Sequence, residues 1–327
     1  MLKKIFAYIL IGVILTVTPL YYINNIILGD EKITTNKVNS YKSFFMSFKK
    51  SGTKIPDTAK NVAVTYDGSY ITYIDSEVLY IKNSKDDKLY DIIKDDEPII
   101  YSLPLNDRNI IMYFTYDGKN LAIKTYDIDN QEITEHKSFK ASNLKKICDV
   151  RYSSYTNLIY ICSQTKSYGI YKNNIYRVDI MKNISLYAKG KEIENIGLLN
   201  NKDTLVYEDK NSRIHIKSKI FKYDGNSKFK FLGIDDEDNI YLLSLEDEKT
   251  ILVVNDGDVI EKRYLDDSSF DSIFNRDNKV CLVYKDYIYD VIQNKKIDIK
   301  SGITVIDISD SHIVYKNSNN NIVVDKI

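Results

Sequence analysis

The sequence has no tryptophan and only four prolines, twelve glycines and three cysteines in 327 residues, and it carries no net charge, with 46 basic against 46 acidic side chains. Each shortage removes a class of reading. Proteins that grip nucleic acid gain affinity by releasing counterions from phosphates, which requires a basic excess or a basic stripe. Neither is visible, so nucleic acid is excluded as a partner. The charges come in short mixed runs such as Lys85-Asp86-Asp87-Lys88 and Asp235-Asp236-Glu237-Asp238, which read as solvated turns. The scarcity of proline and glycine excludes long disordered tracts. Cys148, Cys162 and Cys281 show no Cys-x-x-Cys spacing, which removes a thiolate zinc site. None of them directly follows the apolar N-terminal segment, which removes a lipid-modified cysteine. His136, His215 and His312 form no paired-histidine metal motif, and there is no nucleophile elbow or phosphate-cradling glycine loop. No catalytic set, cofactor or metal is expected.

What is abundant is tyrosine, with 28 copies, together with isoleucine, lysine and asparagine. These four are encoded by AT-rich codons, which points to a low-GC bacterial genome. Tyrosine and isoleucine also favour strands, because flat or branched side chains pack well on a pleated surface.

The N-terminus reads as a membrane anchor. Lys3 and Lys4 precede 19 residues, 5–23, without a formal charge, including Ile5, Phe6, Leu10, Ile14, Leu15, Leu20 and Ile23. A helix through Leu28 would be about 36 Å long, enough for a hydrocarbon core of about 30 Å. Pro19 is tolerated there with a kink. Lys3 and Lys4 before the span, against Asp30 and Glu31 after it, orient the N-terminus to the cytoplasm and the rest outside. The alternative is a cleaved signal peptide with a secreted product; Ile27-Leu28-Gly29 is the only substitute for an Ala-x-Ala site. Residues 29–59 read as a stalk, in which Tyr41, Phe44, Phe45 and Phe48 form one apolar stripe of a short helix. That stripe packs on the following domain or, with Lys42, Lys49 and Lys50, lies on the membrane surface. Gly52 and Pro56 end the helix.

From residue 60 to 327 one phrase recurs: a short apolar strand, a turn of Asp, Asn or Gly, then a second apolar strand that usually ends in tyrosine. Aligned on Tyr73, Tyr113, Tyr160, Tyr207, Leu243, Tyr284 and Tyr315, the spacings are 40, 47, 47, 36, 41 and 31 residues. Periods near 40 residues with strand-only content point to an all-β propeller built from four-stranded blades. A β-sandwich is the structural rival. In the first unit the expected strands are 62–66, 70–75, 78–82 and 88–93; in the fifth, 229–234, 239–244, 250–255 and 259–265, with Asp256-Gly257 supplying a hairpin turn. The last unit offers three strands. Seven blades therefore require a strand from before residue 60 or a short final blade, and six blades with an extra edge strand is the alternative.

The phrase Thr65-Tyr66-Asp67-Gly68-Ser69-Tyr70 resembles the Asp-Gly turn between the first two strands of each blade in TolB-like bacterial propellers. The likeness is one of repeat shape, WD40-like in period, over 60–327, and it implies the fold only. Tyrosine stands before Asp67, and most other units lack the glycine, as in Asp236-Glu237-Asp238-Asn239. Without tryptophan there is no WD dipeptide, sialidase Asp box or quinoprotein motif. Tyr-Asp-Gly at 66–68, 116–118 and 223–225 holds no constant place in the unit and reads as turns.

Three weaker constellations remain. Arg213, His215 and Lys217 share one face of an alternating strand, as a solvated face rather than a metal site. Asp235, Glu237 and Asn239, like Asp127, Asp129 and Gln131, alternate as calcium-binding oxygens do, but neither run continues as an EF-hand. If the chain turns at 153–156, residues whose numbers sum to about 310 face each other. Cys148 and Cys162 meet that sum, which allows a cross-strand disulfide in an exported domain; two buried reduced thiols are the alternative.

The functional expectation is a non-enzymatic, extracytoplasmic binding or scaffolding module held at the cell membrane, taking a protein, peptide or glycan partner. The alternatives are a sensor or subunit of a larger membrane complex, marked by an exposed apolar patch, and an envelope hydrolase or lyase, marked by unpaired acids converging from several first strands on the propeller axis.

Overall fold

A computed structural model describes residues 52–327 apart from Tyr168, Asp277, Lys300, Ser301 and Asp310. The expected anchor at 5–23 and the apolar stripe from Tyr41 to Phe48 lie outside the described residues. Among the described residues no helix is long and apolar enough to cross a membrane.

The alternation of short apolar runs with Asx-rich turns produces seven antiparallel sheets among the described residues, six of four strands and one of three. Within each sheet, spatial order follows chain order. The blades span 60–93, 99–140, 144–191, 193–220, 229–264, 272–298 and 304–326. Every first strand touches the first strand of the next blade, and the first strand of blade 7, Thr304–Ile308, touches that of blade 1, Lys60–Val64, so the ring closes. Seven blades surround the axis; the six-blade alternative and the sandwich are both set aside.

Burial follows position in the blade. The second strands Leu205–Asp209 and Ile240–Ser244 are buried along their whole length, since neighbouring blades cover both faces. That explains their continuous apolar runs in place of alternation. Outer strands such as Glu132–Lys140 are largely exposed and polar. The core accordingly divides into seven apolar clusters, one per seam between blades. The seam between blades 7 and 1 is sealed by Val64, Ile71, Val314, Ile322 and Val324, with Ile55 packed against them.

The short last blade is completed from before residue 60. Thr53 forms a bridge with Ile322, its N–H donating to the Ile322 carbonyl at 2.7 Å and the Ile322 N–H returning to Thr53 at 2.9 Å. One residue thus occupies the position of the missing fourth strand. The same seam explains Gly68: its φ of 73° belongs to the left-handed region, and the His312 ring of blade 7 fills the space a Cβ would need.

The aligned tyrosines are the seam residues. Tyr73, Tyr113, Tyr160, Tyr207, Leu243, Tyr284 and Tyr315 all lie in second strands or directly after them, and all are buried. A buried phenol needs a partner. Tyr160 donates to Asp203 in the next blade at 2.7 Å, Tyr113 to Asp95 in the linker from blade 1 at 3.2 Å, and Tyr126 to Asp91 across the same seam. Burial and these carboxylates push the phenols up from their ordinary range.

The uneven periods also acquire a cause. The two intervals of 47 residues flank blade 3, whose second and third strands, Leu158–Ser167 and Ile170–Val178, run ten and nine residues. The 36-residue interval spans blade 4, whose third and fourth strands have three and two. Blade 5 matches expectation almost residue for residue, and Asp256-Gly257 adopts the positive φ pair, 49° and 98°, of its hairpin turn. The first strand of blade 1 ends two residues early, at Val64, because Thr65 already opens the turn: Gly68 N–H donates to its carbonyl at 2.9 Å.

Candidate functional site at the propeller axis

First strands of all blades run in one sense, so their ends and the turns that follow converge on one face of the ring. A cavity of about 230 Å³ opens there, lined from blades 2 to 6 by groups including Asp107, Arg151, Tyr155, Asn200, Asp236 and Asn278. Its wall is kept close by two glycines. A Cβ at Gly197 would run into Phe231, and one at Gly233 into Val280 and Asn275.

Two arginines close the floor. Arg151 of blade 3 holds Asp149 through Nε at 2.9 Å and reaches across the axis to the Asn275 carbonyl of blade 6 at 2.9 Å. Arg276 of blade 6 pairs with Asp307 of blade 7 and donates to the Val64 carbonyl of blade 1 at 3.0 Å. Burial raises the Asp149 carboxyl, with Arg151 opposing it. Asp149 and Asp307, beside the axis, therefore each carry a cation, while the acids that line the cavity itself, Asp107 and Asp236, belong to its rim, where Asp107 meets Arg108.

The rim is a belt of hydrogen bonds between successive turns. Tyr152 donates to Asp107 at 2.8 Å, and Ser153 Oγ to the Asn200 carbonyl at 2.7 Å. Asn200 and Asn201 donate through their side chains to the carbonyls of Asp235 and Asp236 at 3.1 and 3.0 Å, and the Asp236 N–H donates to Asn278 at 3.3 Å. Burial raises the Tyr152 phenol, while hydrogen bonding of the Arg108 guanidinium to Tyr152, and next to Asp107, raises Arg108. Tyr155 stands on this fixed rim with two thirds of its surface (68%) exposed. The arrangement is a polar mouth with cross-bonded turns and one aromatic exposed at its edge.

Of these residues sequence reasoning singled out only the Asp235-Asp236 turn, and as a solvated charge run; the arginines went unremarked, though a signal existed. Arg151 stands nine residues before Tyr160 and Arg276 eight before Tyr284, where Val64, Leu198 and Ile234 precede Tyr73, Tyr207 and Leu243 by nine. Arg151 at a mostly apolar repeat position, and Arg276 one residue beyond it in its own unit, mark the axis.

The expected constellations are placed as follows. Arg213 and His215 gather on Asp209, Arg213 Nε at 2.9 Å and His215 Nε2 at 3.0 Å, with His215 stacked on Tyr207 at 4.4 Å. Burial would raise the Asp209 carboxyl, but the hydrogen bonds from His215 and Arg213 overcome it and hold it down to about 2. Lys217 belongs to the following turn, with φ 50°. Asp235 and Asp127 cap their own turns: Asp235 accepts the N–H groups of Glu237 and Asn239, and Asp127 those of Asp129 and Asn130. His136, His215 and His312 lie in blades 2, 4 and 7.

Cys148 and Cys162 are brought together, but not as a directly opposed pair. The register sums to 311, so Asp149 faces Cys162, and Cys148 is the extra residue of a β-bulge. Both thiols are free, and both sulfurs accept from Asn173 Nδ2 at 3.5 Å. The hydrogen bond between the two thiols lowers that of Cys148 and raises that of Cys162.

No family model and no curated protein matches the chain. Among solved structures it is similar to Kluyvelomyces marxianus Hsv2, at 13% identity and TM-score 0.49, covering 82% of this chain and 97% of that one. It is also similar to Saccharomyces cerevisiae Sqt1, at 9% identity and TM-score 0.49, covering 81% and 83%. Both are yeast proteins rather than TolB-like bacterial ones, and the assignment of seven blades rests on the sheets and seams themselves.

Proposed function

We propose that the chain is a non-enzymatic binding module tethered to the cell membrane through residues 5–23, with the propeller outside the cytoplasm, and that a protein, peptide or glycan partner seats on the axial mouth. One observation carries the reading: an axial cavity whose two arginines are held by Asp149 and Asp307 and whose rim turns are cross-bonded, leaving Tyr155 exposed at its edge. Tyrosines in such settings supply contact area at low entropic cost and are enriched at binding hot spots. Partner recovery from envelope fractions with the intact chain, compared with Tyr155→Ala and Asn278→Ala, tests it. Tyr155→Ala is expected to weaken capture at least tenfold without changing thermal stability, whereas unchanged capture by both variants refutes the axial mouth as the site.

The second reading, a subunit of a larger membrane complex, is favoured by Ile180, Met181 and Leu186, which stand exposed together on the outer edge of blade 3. A photo-crosslinker at Met181 that captures a membrane protein while Tyr155→Ala leaves capture intact would favour it.

A further inference from the structure

The face opposite the axial mouth carries the turns between second and third strands, and there blade 3 breaks the pattern. Its hairpin of ten and nine residues outreaches the other blades, whose second strands run five to seven. At its far end Ile170 and Tyr171 are more than half exposed, at 57% and 51%. An isoleucine and a tyrosine this exposed at the end of the longest hairpin between second and third strands lack a structural reason. Tyr171 is no core residue that slipped outward; its ring carries Lys166 Nζ at 4.9 Å from the centroid.

The charge around this tip is of one sign. Lys145 and Lys146 begin the first strand of blade 3, Lys166 and Lys172 flank the tip, and Lys189 and Lys191 end the fourth strand. The register brings them together: Lys146 lies opposite Gln164, Lys166 opposite Tyr171, Lys172 opposite Thr165 and Lys191 opposite Asn173. All six are exposed, and among the described residues none has an ion-pair partner. Glu192, next in the chain after Lys191, is engaged by Lys210, and Asp149 in the first strand by Arg151. A chain with zero net charge has thus concentrated a cationic surface at one projecting edge.

The stalk reaches the ring on this same face. Asn320, in the turn between the second and third strands of blade 7, donates to Asp57 at 2.9 Å, and Thr58 donates to Asp75 at the end of the second strand of blade 1 at 2.6 Å. Thr53, Asp57 and Thr58 therefore lie along the face that carries the lysines and the apolar tip.

We propose that this face docks the propeller on an anionic lipid surface, with Ile170 and Tyr171 entering the interface and Lys145, Lys146, Lys166, Lys172, Lys189 and Lys191 meeting the headgroups, so that the axial mouth points away from the bilayer. The proposal rests on the tethered reading for its local concentration of lipid. Its contacts stand on the hairpin alone. Tyrosine suits the boundary between headgroup and acyl chain because its ring is apolar and its hydroxyl polar. Each lysine near an anionic surface contributes roughly a fivefold gain in binding, which is screened by salt.

Because the chain has no tryptophan, Tyr171→Trp creates a single fluorescent reporter at the tip. The full chain carrying it is reconstituted in vesicles of phosphatidylcholine alone or with one third phosphatidylglycerol, each with and without brominated acyl chains. The expected result is blue-shifted emission, quenched by bromine, in the anionic vesicles only, and reversed by high salt. Adding Lys145→Gln, Lys146→Gln and Lys172→Gln lowers the docked fraction by on the order of a hundredfold in binding constant. Emission of a fully hydrated indole in anionic vesicles overturns the proposal, including the case in which an acidic protein is the true occupant. Alkaline extraction separates the two readings. A chain that resists extraction but shows no quenching is tethered without docking, which overturns the proposal. A chain that is extracted, yet is quenched when added to preformed anionic vesicles, supports docking while removing the tether.

Discussion

Glu208 offers the most searching test of how the ring is held together. It sits on the second strand of blade 4, is 2% exposed, and accepts hydrogen bonds from Asn195 of its own blade at 2.8 Å and from the Phe231 N–H of blade 5 at 3.2 Å. Burial raises its carboxyl above the ordinary range, partly opposed by those two donors. The sign of the linkage follows from that direction. A carboxyl raised in the folded state favours the protonated form, so its stabilising contribution is fully present below the unfolded value of about 4.3 and is lost as pH rises through the folded value. Glu208→Gln keeps an acceptor for both donors and has no charge to bury. It is expected to match the parent near pH 4.5 and to exceed it in stability by pH 7.5, by about 1 kcal/mol, or roughly 2–4 °C in Tm for a domain of this size. Glu208→Ala leaves both donors without a partner at about 1–3 kcal/mol each, and should lower Tm by roughly 5–15 °C at every pH. The assay is thermal unfolding of the full chain in detergent, followed by near-ultraviolet dichroism of the tyrosines. A Gln-minus-parent difference that stays constant between pH 4.5 and 7.5 refutes the reasoning, because all other titrations cancel in that difference.

Three further outcomes are expected. Asp290→Asn strips the partner from Lys279, whose Nζ lies 2.8 Å from Asp290 with both side chains buried; it should cost about 3–5 kcal/mol, measured by the urea midpoint, and a cost below about 1 kcal/mol contradicts a buried pair. Ile55→Asp and Thr53→Pro attack the closing seam from outside the blades, and each should raise hydrogen exchange of Val314 and Ile322 relative to blade 4; uniform exchange would show that closure does not depend on them. Mild peroxide should join Cys148 to Cys162, the two thiols giving up two electrons and two protons as the S–S bond forms and the peroxide is reduced to water, and mass mapping of an intact chain that still carries two free thiols after oxidation ends that expectation.

The fold was legible because each level of the sequence agreed with the next. Second strands buried on both faces demand continuous apolar runs, and Tyr113, Tyr160 and Tyr315 end or interrupt those runs where a phenol can reach an acid across a seam or a strand. Closure was legible only as a deficit, three strands where four were needed. What fills it is a single bridge at Thr53, too short to have a pattern of its own. The cysteine pair shows the limit of counting residues around a turn: the proximity was right, but one extra residue at Cys148 shifted the register by one, and bulges leave no periodic trace.

The axial site was illegible for a different reason. Its contacts join residues that no local pattern can relate: Arg151 and Asn275 are separated by 124 positions, Arg276 and Val64 by 212. Periodicity predicts which residue of each unit faces inward, but a ring converts seven such positions into one environment only after closure. Within that environment an arginine from one blade satisfies a carbonyl on another, so the choice at one repeat position depends on choices made far along the chain. The informative departure was therefore arginine at, or one residue beyond, the place where sister units carry Val64, Leu198 and Ile234. An apolar residue there would fill the axis, whereas Arg151 and Arg276 bind it across, and the polar cavity above them exists because they do.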